Sequence, residues 1–203
     1  MKLEVCVGNY NEALQGFKDG GDRIELCDNL QEGGTTPSYG TIKKAVNNIK
    51  IPVNVIIRPR GGDFNYSKDE FEIMKEDIKI CKSLNVNGVV FGILNEDKTI
   101  DIERNKELKE CAEGLSTTFH MAFDEIKNKK EAIDILVELG IDRILTKGGE
   151  ENAPNNLDKL KELIEYANDR IIIMPGGGIT SQNRDYIKSY TNAKELHGSK
   201  IVK

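Results

Sequence analysis

The segment Asp22-Arg23-Ile24-Glu25-Leu26-Cys27 alternates two kinds of side chain at every second position. Its arginine, glutamate and cysteine point to one face of an extended strand, while Ile24 and Leu26 point to the other. Parallel strands are usually apolar on both faces because helices cover the sheet. Charged groups packed against a helix layer would carry a large desolvation cost. The alternation therefore predicts a strand with one polar face that lines an enclosed interior.

Short β-branched runs alternate with amphipathic helical stretches along the whole sequence. The predicted strands are Leu3–Val7, Arg23–Cys27, Val53–Arg58, Gly88–Ile93, Ser116–His120, Arg143–Lys147, Ile171–Pro175 and Glu195–Ser199. The predicted helices are Asn11–Gly20, Tyr39–Ile49, Lys68–Leu84, Glu103–Glu113, Lys129–Leu139, Asn156–Ala167 and Ser181–Ser189.

This order predicts one α/β domain over residues 1–203: a TIM-like (β/α)8 barrel of parallel strands that lacks its last helix. The competing architecture is a doubly wound open sheet. No G-x-G-x-x-G motif follows the first strand, which disfavours that alternative.

The composition limits the classes of function. Hydrophobic residues make up 38% and charged residues 31% of the 203 residues, a balance typical of a soluble globular protein. The net charge of −5 disfavours nucleic acid as a partner, and no apolar run reaches the roughly 18 residues of a membrane span. The first strand begins without an apolar leader, and the four cysteines show no CxxC spacing. We therefore expect a cytoplasmic protein with reduced thiols.

Ionisable side chains recur where the strands end, which is where barrel enzymes carry their active sites. The only two histidines, His120 and His197, end the fifth and eighth strands. The candidate catalytic residues are Glu4, Glu25, Arg58, His120 and Asp124, with Glu25 or His120 as the acid/base group. Two alternatives stay open: the lumen residues form a plug of Glu–Arg ion pairs, or Asp124 caps a turn instead of orienting His120.

Two glycine-containing loops are candidates for binding an anion. Arg58 and Arg60 precede a Gly-Gly pair after the third strand, and guanidinium groups bind carboxylates and phosphates well. Gly176, Gly177 and Gly178 follow the seventh strand, a frequent phosphate site in barrels. The alternative is that both loops are only tight turns.

A soft metal ion is a further possible ligand. Cys6 and Cys27 are expected at matching heights on neighbouring strands, and two facing thiolates suit Cu(I). His120 and His197 complete the candidate metal ligands, with Met121 nearby. The alternative for each cysteine is that it packs as a small buried apolar residue.

Several segments resemble the copper homeostasis protein CutC family over essentially the whole chain. They are Glu4–Cys6, Asp22–Cys27, Glu32–Ser38, Arg58–Phe64, Thr118–His120, Ala122–Asp124 and Leu145–Thr146. The resemblance implies a cytoplasmic TIM-like barrel, often oligomeric, with links to copper tolerance and Cu(I) binding. This chain has Met121 where the family usually has arginine, which replaces a cation by a thioether, and its C-terminal tail is shorter than in longer members.

Two functions follow from these observations. The first is a copper homeostasis protein that binds Cu(I) as its cofactor or cargo. The second is a barrel enzyme acting on a small anionic or phosphorylated substrate. In either case the expected partner is a copper ion or a small anion, and the face left uncovered after the eighth strand predicts a homo-oligomer.

Overall fold

The structure, a computed structural model, describes residues 1–202. The strands are β1 (Lys2–Val7), β2 (Arg23–Leu26), β3 (Val53–Ile56), β4 (Gly88–Phe91), β5 (Ser116–Phe119), β6 (Arg143–Thr146), β7 (Ile172–Pro175) and β8 (Glu195–Gly198). The α-helices are α1 (Tyr10–Lys18), α2 (Tyr39–Asn48), α3 (Lys68–Ser83), α4 (Ile102–Cys111), α5 (Lys129–Glu138), α6 (Leu157–Ala167) and α7 (Arg184–Thr191). Short 3₁₀ helices cover Leu30–Glu32, Met121–Glu125 and Ala153–Asn155.

The strands form one parallel sheet that curls until its ends meet. The order is β7-β6-β5-β4-β3-β2-β1-β8, so the eighth strand pairs with the first. Within residues 1–202, β7 and β8 share no ladder, and a parallel bridge between Thr180 and Lys200 joins the chain just beyond them. The TIM-like barrel is confirmed, and the doubly wound alternative is wrong because β8 returns to β1.

No helix follows β8 among the residues that the structure describes, as the sequence predicts. Ile201 is instead fully buried in the main apolar core, and Arg184 of α7 donates a hydrogen bond to its carbonyl at 2.6 Å. The chain after β8 is therefore packed onto the barrel. No helix of the described residues is long and apolar enough to cross a membrane.

The predicted helix ends lie within two residues of the observed ones, except at the start of α7. Ser38 caps α2, and Ser67 forms a capping box with Glu70 at the start of α3. Gly140 follows α5 with a φ of 72°, the left-handed conformation that the sequence predicts after this helix. The predicted start of α7 at Ser181 is three residues early, because the Asn183 side chain accepts the N–H of Thr180 and holds residues 181–183 in a turn.

The observed strands β2 to β6 and β8 end one or two residues before their predicted ends. Arg58 shows the reason, because its backbone N–H donates to the Thr36 hydroxyl and its carbonyl accepts the N–H of Thr36. The chain after β3 is therefore hydrogen-bonded to the loop after β2 instead of continuing the ladder. Because the strands end early, the residues that follow them belong to the loops above the barrel.

Candidate functional site

Four buried charged side chains fill the amino-terminal end of the lumen. Arg23 forms ion pairs with both Glu4 and Glu195, and the Arg143 Nε lies 3.2 Å from Glu195. All four are at most 7% exposed. Two guanidinium groups and two carboxylates balance in charge, which a buried cluster needs. The alternative of a Glu–Arg plug therefore describes this end of the barrel.

His197 connects the ion pairs of the plug to Glu25, which lies above them in the lumen. Its Nδ1 donates to the second oxygen of Glu4 at 2.8 Å, and its Nε2 lies 3.6 Å from a carboxylate oxygen of Glu25. Burial alone would lower the pKa of His197, but Glu25, Cys6 and Glu4 raise it well above its usual range. Burial likewise would raise the pKa of Glu4, but His197 and Arg23 lower it to about 2. The pair is therefore ionic at neutral pH.

The two predicted thiols lie beside Glu25. The Sγ atoms of Cys6 and Cys27 and a carboxylate oxygen of Glu25 all lie within 4.8 Å of one another. The expectation that the cysteines sit at matching heights is wrong, because Cys6 is the register partner of Glu25 and Cys27 lies two residues further along β2. Neighbouring barrel strands are staggered, so the thiols meet on a diagonal.

These contacts shift the protonation of all three groups. Hydrogen bonding with Cys27 and with His197 lowers the pKa of Cys6 well below its usual range, although burial opposes the change. The neighbouring Cys6, burial and Glu25 all raise the pKa of Cys27. Burial raises the pKa of Glu25, with His197 opposing and Cys6 adding to the rise. Both directions favour ionisation of Cys6 before Cys27.

A cavity of about 540 Å³ opens above these groups at the carboxyl ends of the strands. Its floor is formed by residues in or just after the strands: Cys6, Glu25, Cys27, Ile56, Leu145, His197 and Gly198. Its mouth is lined by residues of the loops that follow the strands: Leu30, Gly33, Arg58, Phe64, His120, Met121, Gly177, Gly178, Ile179, Thr180, Ser199 and Lys200. Glu4 lies below the floor, where it supports His197.

His120 stands in the wall of the cavity as a neutral imidazole. Its Nδ1 accepts the N–H of Ala122 at 3.3 Å, so the ring carries its proton on Nε2. Burial and the charge of Arg58 lower the pKa of His120 to about 3. The ring centroid lies 4.8 Å from that of Phe64. No described residue hydrogen-bonds to Nε2.

Arg58 lies beside the cavity and joins two loops. Its guanidinium donates to the carbonyls of Glu32 and Gly34 after β2 and to the carbonyl of Gly62 after β3, at 2.6–2.8 Å. The guanidinium also lies 5.1 Å from the centroid of the Phe64 ring. Among residues 1–202 it forms no ion pair with a carboxylate. Arg58 is a loop clamp whose charge has no acidic partner.

Two other candidates lie outside the cavity. Arg60 pairs with Asp63 and with Glu70 of α3 and donates to three loop carbonyls, so its hydrogen bonds tie its own loop to the start of α3. Asp124 accepts hydrogen bonds from the Thr146 hydroxyl at 2.5 Å and from the N–H of Lys147. It ties the loop after β5 to the end of β6 and makes no hydrogen bond with His120.

The glycine loop after β7 reaches the cavity with two of its three residues. Gly177 and Gly178 line it, and both have a positive φ of 83–84°. Gly176 instead continues the strand hydrogen bonds, donating its N–H to Thr146 at 2.9 Å. A Cβ on Gly176 would approach Leu145 to 2.5 Å, so close packing accounts for this first glycine.

The sequence interpretation missed Arg143 and Lys200 as parts of the site, whereas the alternation along the eighth strand does place Glu195 in the lumen. Arg143 begins β6, and a charge at the first lumen position of that strand would have been the signal for its place in the plug. Lys200 follows β8 and lines the mouth. No sequence pattern distinguishes it from the other exposed lysines.

The fold and the site together define a TIM-like barrel protein with a charged lumen and a pair of thiols at the carboxyl ends of its strands. The sequence profile of the CutC family matches residues 1–202. The chain therefore belongs to the CutC family, as its motifs suggest, and it is a copper homeostasis family protein in that sense.

Individual relatives agree with this assignment. A CutC family protein of Enterococcus faecalis is 47% identical over 209 alignment positions, covering 100% of both chains. The human copper homeostasis protein cutC homolog is 46% identical over 197 positions, which span 97% of this chain and 72% of the human one. The crystal structure of a copper homeostasis protein CutC from Streptococcus agalactiae superposes with a TM-score of 0.95 at 44% identity, covering 99% of each chain.

Proposed function

We propose that this protein binds Cu(I) through the sulfurs of Cys6 and Cys27. The observation that carries the proposal is the approach of the two Sγ atoms to within 4.8 Å at the floor of an open cavity. Metal–thiolate bonds are about 2.3 Å long, so two sulfurs on opposite sides of one ion lie about 4.6 Å apart. The two sulfurs are therefore close enough to share one ion.

The chemistry of the donors favours a soft ion. Thiolates select Cu(I), whereas a carboxylate such as Glu25 suits harder cations. The low pKa of Cys6 supplies one thiolate before the metal arrives, and metal binding releases the proton of Cys27. Both cysteines are free thiols in the structure, and a reducing compartment such as the cytoplasm would keep them so.

The histidines are less suited to hold the ion. The Nδ1 of His197 donates to Glu4, and its raised pKa keeps the second nitrogen protonated as well. The Nδ1 of His120 accepts a backbone hydrogen bond. Each ring would have to lose a proton or a hydrogen bond before it could ligate a metal. The proposed ligand set is therefore the two thiols.

The test is a titration of the reduced protein with Cu(I) in competition with a chelator of known affinity. We expect the double variant Cys6→Ala, Cys27→Ala to lose binding, while Cys111→Ala, which changes a partly exposed thiol on α4, retains it. Equal affinity of the wild type and the double variant would refute the proposal.

A second function is supported by the size of the cavity. A volume of about 540 Å³ lies in the usual range for small-molecule sites and far exceeds what one ion needs. We propose as the alternative a barrel enzyme acting on a small anionic or phosphorylated substrate. Glu25, whose raised pKa suits proton transfer, would be its acid/base group. Arg58 would contribute the positive charge that attracts the substrate.

A thermal-shift screen of phosphorylated metabolites and dicarboxylates tests the enzyme proposal. Any compound that raises the Tm is then incubated with the protein and followed by NMR for conversion. We expect Glu25→Gln to keep the Tm shift and lose the conversion. If no compound stabilises the protein, the enzyme proposal fails and the copper proposal is unaffected.

A further inference from the structure

The mouth of the cavity carries positive charge without acidic partners. Arg58 and Lys200 line it, and neither forms an ion pair with any described residue. The one acidic residue of the lining is Glu25, which lies at the floor beside His197. A low-dielectric wall strengthens the field of such charges, so an anion entering the cavity is drawn to the mouth.

His120 adds an unsatisfied hydrogen-bond donor at the same level. The side chain is 96% buried, since only 4% of its surface is exposed, and it lines the cavity. Its Nε2 atom is itself buried and has no acceptor among residues 1–202, so a bound anion would reach its proton after a small shift of the ring. An unpaired buried donor costs about 1–3 kcal/mol, which a bound acceptor would recover.

The main chain of Gly177 and Gly178 also lines the mouth of the cavity. Gly177 and Gly178 have positive φ and lack side chains that would cover their peptide groups. A Cβ on Gly177 would approach the Lys147 side chain to 2.8 Å, so that position is also closed to substitution by packing. Glycine at such positions lets a ligand approach the main chain closely.

We propose that the mouth of the cavity binds an oxyanion group, a carboxylate or a phosphate, between His120, Lys200 and the Gly177–Gly178 backbone, with Arg58 supplying charge from the wall. His120 acts as a neutral donor through Nε2. This inference deepens the second proposed function, because it places the anionic end of the substrate at the mouth and its reacting part over Glu25. It also corrects the predicted anion set, since Arg60 and Gly176 do not reach the cavity.

The test uses the fact that the chain has only two histidines. Protein labelled with ¹⁵N at histidine gives one pair of ring nitrogens for each, and His120→Phe assigns them by removing one set. Inorganic phosphate and, separately, succinate are titrated at constant ionic strength, with chloride as the control. We expect saturable movement of the His120 Nε2 signal with at least one of the two oxyanions and none with chloride.

Variants then test each contact. Lys200→Gln should weaken the binding about tenfold, the loss expected for one charged hydrogen bond, and His120→Phe should abolish it. His120→Gln, which keeps an N–H donor, should restore part of the affinity. Lys194→Gln is the matched control, because Lys194 is also exposed but pairs with Asp169 outside the cavity. Backbone NMR spectra verify that each variant is folded.

The outcomes separate this inference from the proposed functions. Unchanged phosphate and succinate binding in Lys200→Gln, or an identical response to chloride, would overturn it. Oxyanion binding involves neither turnover nor metal, so it is measured on the copper-free protein with phosphate and succinate, which are not converted. Loss of copper binding or of turnover would therefore leave the oxyanion site standing, whereas a screen in which no anion stabilises the protein would count against both the enzyme proposal and this site.

Discussion

The sulfur atoms of Cys6 and Cys27 lie within 4.8 Å of each other although their backbones are not register partners. Cys6 is opposite Glu25, and Cys27 lies one pleat closer to the carboxyl end of the barrel. The stagger between strands places the Cys6 thiol against Cys27 above, Glu25 beside it and His197 on the other neighbouring strand. The Cys6 thiol is thereby surrounded by groups that favour its ionised form.

We expect Cys6 to be the fastest-reacting thiol of the protein at about pH 7, because alkylation requires the thiolate and an unperturbed cysteine has a pKa of about 8.5. Limited iodoacetamide treatment followed by peptide mass spectrometry measures the order of modification. Cys27→Ala should slow the reaction at Cys6, since the Cys27 thiol contributes most to lowering the pKa. Preferential labelling of Cys111 would contradict the assignment.

Glu4 should stabilise the fold in a pH-dependent way. Its folded pKa of about 2 lies below the usual 4.5, so its contribution is present above about pH 4.5 and is lost as the pH falls toward 2. We expect Glu4→Gln to lower the free energy of unfolding by about 3 kcal/mol at neutral pH. Urea denaturation between neutral pH and about pH 3.5 measures the effect.

The difference between wild type and Glu4→Gln should stay constant down to about pH 5 and shrink below that. Glu113→Gln, a change at an exposed glutamate, provides the control and should have little effect at any pH. A loss in Glu4→Gln that does not depend on pH would mean that packing, and not ionisation, is what the substitution removes.

Gly88 at the start of β4 should not tolerate a side chain. A Cβ there would lie 2.6 Å from both the Asn54 Oδ1 and the Ser116 carbonyl oxygen, and the second of these is rigid backbone. We expect Gly88→Ala to destabilise the protein by about 1–3 kcal/mol, the range for overpacking. Gly40→Ala in α2, where no atom lies within 4 Å, should leave Tm unchanged or raise it.

Replacing Arg58 by lysine should lower the stability of the protein. Three carbonyls from two loops accept hydrogen bonds from its guanidinium, and an ammonium group cannot reproduce that fork. We expect Arg58→Lys to reduce stability by about 1–3 kcal/mol and to expose residues 29–36 to limited proteolysis. Arg60→Lys, on the partly exposed side of the same loop, should change both measurements less; an equal effect would show that Arg58 is not the clamp.

The barrel and the position of its site were predictable because they depend on periodicity. Alternation along β2 places Glu25 and Ile24 on opposite faces of the strand, independent of the loop conformations. The positions of the two histidines follow from where β5 and β8 end. The polar lumen follows from the same pattern. These features need only the pleat of a strand and the number of βα units.

The roles of individual side chains were less predictable because neighbours compete for each polar group. Asp124 lies four residues after His120, yet it is bound by Thr146 and Lys147, which are remote in sequence. The Arg60 guanidinium is paired with Asp63 in its own loop and with Glu70 at the start of α3. The height of Cys27 relative to Cys6 depends on the stagger of the barrel, which no single strand encodes.

The hydrogen bond between Glu4 and His197 joins residues 193 positions apart. Such a contact can form only after nearly the whole chain has been synthesised and the first strand has found the eighth. Contacts this distant in sequence slow folding, because a long loop must close before they form. Until then, the carboxylate of Glu4 and the thiol of Cys6 lack the imidazole beside them. The part of the lowering of the Cys6 pKa that comes from His197 is therefore acquired only when β8 pairs with β1.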